Sequence, residues 1–349
     1  MRSYKFARYG EPVDEVIDAT PVPQGTEVLL CVEACGVCHS DLHVWDGYFD
    51  LGNGKRLDLS SGRTLPFTLG HEIVGRVVAV GPQAPAERIG DSVVLYPWIG
   101  CGNCAICRTG DEHLCQDARA LGIQVDGGYA DHVVVPHERY LFDFGTVPVQ
   151  LAATYACSGL TAYSALKRID SMTERGATLI IGAGGVGMAA LALGRAMHAN
   201  RIVVADNDPA KREAALEAGA DEVLDTDEEQ AVRRLRKLTD GGPSGIIDFV
   251  GAEPTATLAV QGVRKGGKIV VVGLFGGRLN LSLPLLPLKS FSLEGAYVGS
   301  LAEMEELMAL ARAGKVPPLP IQCRALEDAN NVLADLRAGR VIGRAVLRP

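Results

Sequence analysis

The chain has 349 residues, long for one domain and comfortable for two. Its composition, 47% hydrophobic and 22% charged, is that of an ordinary globular enzyme, and a net charge of -8 argues against nucleic acid as a main partner. No uncharged apolar run reaches membrane-spanning length and the N-terminus carries no signal-peptide core, so no membrane association and a cytoplasmic location are expected. In a reducing compartment the nine cysteines read as metal ligands rather than disulfides.

Residues 28–34 read as a buried strand that runs into Cys38-His39-Ser40-Asp41-Leu42-His43. Cys31 lies inside the apolar run and reads as packing. Cys35 and Cys38 form a C-x-x-C pair, which serves as a redox motif or as half of a zinc site. Cys38 alone is preferred as the ligand, because a catalytic zinc needs three protein ligands and one open position. Ser40 can hold a substrate hydroxyl and His43 can carry its proton away. The stretch from Trp45 to Thr68 is irregular, with turn chemistry over residues 50–64. That loop lines a substrate entrance, forms a subunit contact, or is plain surface.

His71 offers a neutral imidazole, and the following Glu72 can ligate zinc or act from behind the ligands. Residues 76–81 and 90–95 are strand-and-turn units that suggest a compact β-rich domain. Trp98, by itself, reads as a core tryptophan. Cys101, Cys104, Cys107 and Cys115 follow as C-x2-C-x2-C-x7-C. Four thiolates so close can close a tetrahedral zinc site with no exchangeable position, which makes it structural. His132 and His137 have no partners at ligand spacing and read as structural.

Residues 151–163 start a helix-like section, in which Cys157 alone would read as packing. Residues 177–181 form a buried strand, followed at once by Gly182-Ala183-Gly184-Gly185-Val186-Gly187 and an apolar helix. Between strand and helix, G-x-G-x-x-G is a strong dinucleotide signal: its glycines let the backbone approach a pyrophosphate at the helix N-terminus. The next strand ends at Asp206, whose carboxylate can accept from both ribose hydroxyls and would repel a 2′-phosphate, so NAD is expected over NADP. A helix over 209–219, further strands at 246–250 and 268–273, and intervening helices complete a doubly wound parallel sheet in an α/β fold. Residues 290–298 read as its last strand, residues 301–314 as an amphipathic helix, residues 326–333 as the start of another, and residues 343–347 as a strand returning to the first domain.

Gly36-Val37-Cys38-His39-Ser40-Asp41, Gly70-His71-Glu72, the four-cysteine lobe and the glycine loop occur in one order over essentially the whole chain. In this they resemble the zinc-dependent medium-chain alcohol dehydrogenases, and residues 45–68 resemble an insertion of some tetrameric archaeal and bacterial NAD-dependent members. The resemblance implies a GroES-like catalytic domain over 1–152, a Rossmann NAD-binding domain over 153–297, and a return to the catalytic domain over 298–349. It implies a catalytic zinc on Cys38, His71 and Cys157, with Glu72 as fourth ligand or neighbour, and a structural zinc on Cys101, Cys104, Cys107 and Cys115. Ser40 and His43 become the proton relay. His39 faces the cofactor pyrophosphate, Lys211 the ribose, Leu274 the nicotinamide and substrate, and Trp98 forms a wall of the substrate pocket.

The implied reaction is reversible hydride transfer between a primary or secondary alcohol and NAD, giving an aldehyde or ketone. A polyol or hydroxyacyl-thioester dehydrogenase on the same scaffold is the alternative; a zinc- and NAD-binding regulatory protein without turnover is a third reading. Polyol-type relatives often place Glu at the third ligand, so Cys157 favours simple alcohols. The family pairs the edge of its cofactor sheet across a two-fold axis, which implies at least a dimer and favours a tetramer.

Overall fold

The computed structural model describes residues 1–197 and 201–349. One sheet is built on the strand Val28–Val37, whose Val, Leu, Ala and Cys side chains are buried nearly throughout. Such a run, apolar at successive positions, belongs in the middle of a sheet covered on both faces. It pairs antiparallel with Glu72–Val80 on one side, and with Arg344–Arg348 and His132–Val135 on the other. Ser92–Leu95 and Leu141–Phe142 extend the sheet beyond Glu72–Val80, and Ile321–Ala325 extends it beyond Arg344–Arg348.

The second sheet is wholly parallel. Its spatial order is Glu222–Asp225, Ile202–Asp206, Thr178–Ile181, Gly245–Asp248, Lys268–Val271 and Ser292–Gly295. Numbered along the chain, this is the order 3-2-1-4-5-6 of a dinucleotide-binding fold, and its crevice opens where the order reverses, beside Thr178–Ile181. The helices Gly185–Met197, Pro209–Glu217, Ala231–Leu238 and Glu253–Gly262 are the crossovers. The central strands are buried on both faces, as parallel strands under helices must be. This is the β-rich unit plus doubly wound sheet that the sequence predicts. Among the described residues, no helix is long and apolar enough to cross a membrane.

Two local features depart from the sequence reading. The turn-rich stretch holds a short hairpin, with Tyr48–Asp50 paired to Arg56–Asp58. Gly52, Asn53 and Gly54 all take positive φ at its tip, a conformation that Gly adopts freely and Asn tolerates. The Arg56 guanidinium lies 3.8 Å from the Tyr48 ring centroid and holds the arms together. The second feature is at Cys157. The helical section there is not continuous α-helix: Tyr155–Gly159 form a π-helical turn between Val149–Thr154 and Leu160–Thr173.

The glycine loop shows why two of its positions lack a side chain and a third need not. Gly182 has φ 93°. A Cβ on Gly187 would overlap the carbonyl oxygen of Gly182, so the helix approaches the strand only if that residue is glycine. A Cβ on Gly184 would meet nothing within 4 Å, so this position faces open space. Gly187→Ala is therefore expected to destabilise the fold by about 1–3 kcal/mol, as other forced overpacking does. Gly184→Ala should leave the thermal midpoint of the cofactor-free protein unchanged. Midpoints measured side by side check the pair.

Candidate metal centres and cofactor cleft

Cys38, His71 and Cys157 come from three separate places in the chain. Cys38 is the N-cap of the helix His39–Asp46, His71 precedes the strand Glu72–Val80, and Cys157 lies on the π-helical turn. Their Sγ and ring-nitrogen atoms all lie within 4.8 Å of one another, and all three residues are buried. Tetrahedral zinc with Zn–S about 2.3 Å and Zn–N about 2.0 Å sets neighbouring ligand atoms about 3.5–3.8 Å apart, a spacing that falls within this bound. His71 Nε2 is buried without a hydrogen-bond partner. A buried polar atom left alone is costly, and a metal would satisfy it. The Cys157 thiol, overcoming burial together with His71, holds Cys38 well below the ordinary thiol range. The same thiol pair pushes Cys157 up, as two adjacent sulfurs cannot both ionise without a cation between them.

Around this cluster lies a shell of enclosed groups. Asp41 Oδ1 stands 3.1 Å from His71 Nδ1, off the line of a straight hydrogen bond. Burial alone would lower the His71 pKa; Asp41 and Cys38 outweigh it and raise it. A carboxylate behind a ligating imidazole fixes the ring and strengthens it as a donor. The Glu72 carboxylate is held by the Arg344 guanidinium and accepts the Ser158 backbone N–H at 3.0 Å. It stands behind the ligands, and direct ligation would require it to leave both partners. Trp98 donates its indole N–H to Ala156 at 3.0 Å, and its ring is 5.4 Å from His71 and 5.8 Å from Tyr297. Cys35 lies elsewhere: burial pushes its thiol up, and its sulfur packs beneath Gly70.

Ser40 and His43 share a face of the helix His39–Asp46, three residues apart. The His43 ring lies 4.8 Å from Phe49, and the His39 ring 5.0 Å from Phe275. Burial pushes both histidines below their usual range, so both are neutral at pH 7. Leu274 and Phe275 are 41% and 55% exposed at the end of the strand Lys268–Val271.

The four cysteines of the lobe also converge. Cys101 and Cys107 sulfurs are 3.9 Å apart, as are those of Cys104 and Cys115. That is about the edge of a tetrahedron of thiolates around zinc and nearly twice a disulfide bond. Backbone N–H groups of Cys107 and Cys101 point at the Cys104 and Cys115 sulfurs, each at 3.4 Å. Donors from the Asn103 and Cys104 backbone bring Cys101 down to about 7, while burial lifts Cys107 to about 12. His132 and His137 sit outside both clusters: His132 meets Asp131 at 2.8 Å, and His137 accepts the Arg139 N–H at 3.1 Å.

In the crevice, Asp206 accepts the Ala183 N–H at 2.7 Å and the Asp208 N–H at 2.9 Å. These bonds fix its carboxylate beside the glycine loop and leave lone pairs for a ribose. Arg212, near the same strand end, donates to the Asp206 carbonyl and pairs with Asp225 at 3.0 Å, so its charge is already engaged. Lys211 lies on the same helix, and its Nζ approaches the Gly339 position at the crevice edge. Arg344 closes the crevice floor: a Cβ on Gly185 would collide with its side chain.

Comparison with known proteins matches both parts of the chain. The family described as "Alcohol dehydrogenase GroES-like domain" matches residues 24–144, and "Zinc-binding dehydrogenase" matches residues 185–313. The NAD-dependent alcohol dehydrogenase of Sulfurisphaera tokodaii is 39% identical, with 100% of both chains covered. That of Saccharolobus solfataricus is 38% identical, again over 100% of both chains. The chain belongs to the zinc-dependent medium-chain alcohol dehydrogenase family. The crystal structure of the alcohol dehydrogenase from the hyperthermophilic archaeon Aeropyrum pernix superimposes on this member with a TM-score of 0.89, at 30% identity and 100% coverage of both chains.

Four residues of this dehydrogenase's site escape the sequence reading: Asp41, Phe49, Phe275 and Arg344. Asp41 lies within the Cys38 stretch, and its place as N3 of a helix whose N-cap is Cys38 was a signal for a capping box. Arg344 carried none. For the cofactor, Asp206 is the testable position. Asp206→Gly removes a charged acceptor worth about 1.5–3 kcal/mol. It is expected to lower kcat/KM with NAD about 10- to 100-fold while narrowing the preference over NADP, as read from initial rates with both cofactors.

Proposed function

We propose that this protein catalyses reversible hydride transfer between a primary or secondary alcohol and NAD, with an aldehyde or ketone as the oxidised product. The observation that carries the reading is the buried convergence of Cys38, His71 and Cys157 beside the dinucleotide crevice, with the His71 Nε2 unpartnered. Full-length similarity to NAD-dependent alcohol dehydrogenases supports it.

In this reading Cys38, His71 and Cys157 hold a catalytic zinc and Cys101, Cys104, Cys107 and Cys115 a structural one. The metal, when bound, would supply Lewis acidity that lowers the pKa of an alcohol oxygen, and NAD bound in the crevice would be the hydride acceptor. In the relay Ser40 accepts the alcohol proton while releasing its own, and His43 carries that proton away. Burial keeps the His43 ring neutral and able to accept it. Trp98 shapes the substrate side, and Leu274 and Phe275, exposed and apolar, are covered by cofactor and substrate. Gly182, Gly184, Gly185, Val186 and Gly187 receive the pyrophosphate with His39, and Asp206 and Lys211 the adenosine ribose. Residues 1–152 and 298–349 form the catalytic domain and 153–297 the cofactor domain.

We further propose that the protein is a cytoplasmic homo-oligomer, a tetramer rather than a dimer. The edge strand Ser292–Gly295 has one neighbour among the described residues, and Leu283 and Leu288 near it are 72% and 69% exposed. An edge with exposed leucines beside it needs covering.

The reading is tested by initial rates with NAD and NADP over aliphatic, secondary, cyclic and benzylic alcohols, with metal analysis of the same sample. Turnover with NAD and about two zinc ions per chain are expected, one for each cysteine-bearing site. Two zinc ions with no turnover on any alcohol would overturn the alcohol assignment and leave the metal sites standing. Within the active enzyme, Ser40→Ala is expected to lower kcat about 10²- to 10⁴-fold, the usual range for a proton-transfer group, with NAD affinity unchanged by fluorescence titration.

A further inference from the structure

Tyr129 is fully buried, and no role above uses its hydroxyl. The local backbone dictates its position. Gly127, Gly128 and Tyr129 donate their N–H groups to Thr68, Gly70 and Leu69 at 2.9, 2.8 and 2.9 Å. The segment therefore lies alongside the approach to His71. Gly70, with φ 97°, has no Cβ, and the Tyr129 ring occupies the space where one would be. From there the Tyr129 hydroxyl reaches Asp41 Oδ2 at 3.2 Å.

Asp41 is itself fully buried and divides its oxygens. Oδ2 accepts the Tyr129 hydroxyl and the Cys38 N–H, the latter at 2.8 Å. Oδ1 lies 3.1 Å from His71 Nδ1 and accepts the Gly70 N–H at 3.3 Å. A carboxylate gripped on one oxygen by two donors cannot turn its other oxygen away from the imidazole. We propose that Tyr129 is a positioning residue for the catalytic metal: its hydroxyl, through Asp41, fixes the orientation of His71. The proposal rests on the reading that Cys38, His71 and Cys157 hold zinc. Burial and the adjacent Asp41 raise the phenol well above its usual range, so it remains a donor at any working pH.

A plain structural role is the competing account, because a buried tyrosine hydroxyl needs an acceptor in any case. The two differ in what Y129F changes. The phenyl ring still fills the space over Gly70, so the fold survives, and only the grip on Asp41 is lost. Zinc release to an excess of chelator is followed, and the catalytic-site phase is identified as the one missing in H71A. Loss of a group directly behind a ligand typically costs 10- to 100-fold in metal affinity. D41N should therefore speed release by about that factor, and Y129F, one step further out, by about 3- to 10-fold. Y129F added to D41N should speed it no further. Y4F removes the hydroxyl of another tyrosine, one bonded to Glu15 at 2.9 Å in a part-buried contact away from both clusters, and should change nothing.

Thermal midpoints give the second readout: Y129F should lower the midpoint of the zinc-loaded protein more than that of the chelated protein. The proposal is overturned if D41N speeds release and Y129F does not. It is equally overturned if Y129F acts in full on top of D41N, or lowers both midpoints alike. If the protein binds only the zinc of the cysteine lobe, the catalytic-zinc reading itself has failed, and the role of Tyr129 falls with it.

Discussion

An enclosed ion pair sets the geometry on which both halves of the cleft depend. Glu72 and Arg344 belong to the two strands that flank Val28–Val37. Gly36 lies directly opposite Glu72 and, on its other side, opposite Val346, two residues beyond Arg344; a Cβ on Gly36 would overlap the Glu72 carboxylate. The missing side chain opens a channel across the middle strand through which the two charges meet. Both residues are almost wholly buried, at 0% and 3% exposed. Such a pair adds little net stability over an apolar replacement, but loss of either partner leaves a stranded charge that costs about 3–5 kcal/mol. Its value is positional. Glu72 follows His71 directly and also accepts from Ser158, the neighbour of Cys157. Arg344 packs against Gly185 in the glycine loop. One contact thus relates two proposed metal ligands to the floor of the cofactor crevice.

The legible parts of this molecule are those whose chemistry is local in sequence. The cysteine lobe spans 15 residues, and the glycine loop six, each next to the element that presents it. The doubly wound sheet is equally readable, because parallel strands buried on both faces leave continuous apolar runs. What stays hidden is long-range. Arg344 is 272 residues from Glu72, and Tyr129 is 88 residues from Asp41. No periodicity or spacing relates such partners: the register of the first sheet brings Glu72 towards Arg344, and the backbone bonds of residues 127–129 to 68–70 bring Tyr129 to Asp41. Cys157 is a middle case. The residue invites attention only through family resemblance, and the π-helical turn that carries it has no signal in Tyr155-Ala156-Cys157-Ser158-Gly159. Such turns are rare and concentrate at functional sites. Here the wider turn sets Cys157 beside Cys38 while Ala156 accepts the Trp98 indole N–H.

The hairpin over residues 48–58 gives the turn-rich stretch a physical role that composition could not choose. Its tip touches the cofactor half. A Cβ on Gly52 would come within 2.8 Å of the Arg278 side chain, and one on Gly276 within 2.6 Å of the Asp50 carbonyl. The loop it meets begins with Leu274 and Phe275, the exposed apolar pair at the mouth of the crevice. Phe49 in the hairpin lies against His43, and Phe275 in the loop lies against His39. Two aromatic rings, one from each half, therefore bracket the helix that starts at Cys38. Opening the cleft must separate glycine-lined backbone surfaces that approach closely, and must uncover His39 and His43 together. The hairpin is thus mechanically part of the cleft wall, a role its sequence left open among substrate entrance, subunit contact and plain surface, because glycine at both faces of a contact encodes nearness only once the partner is known.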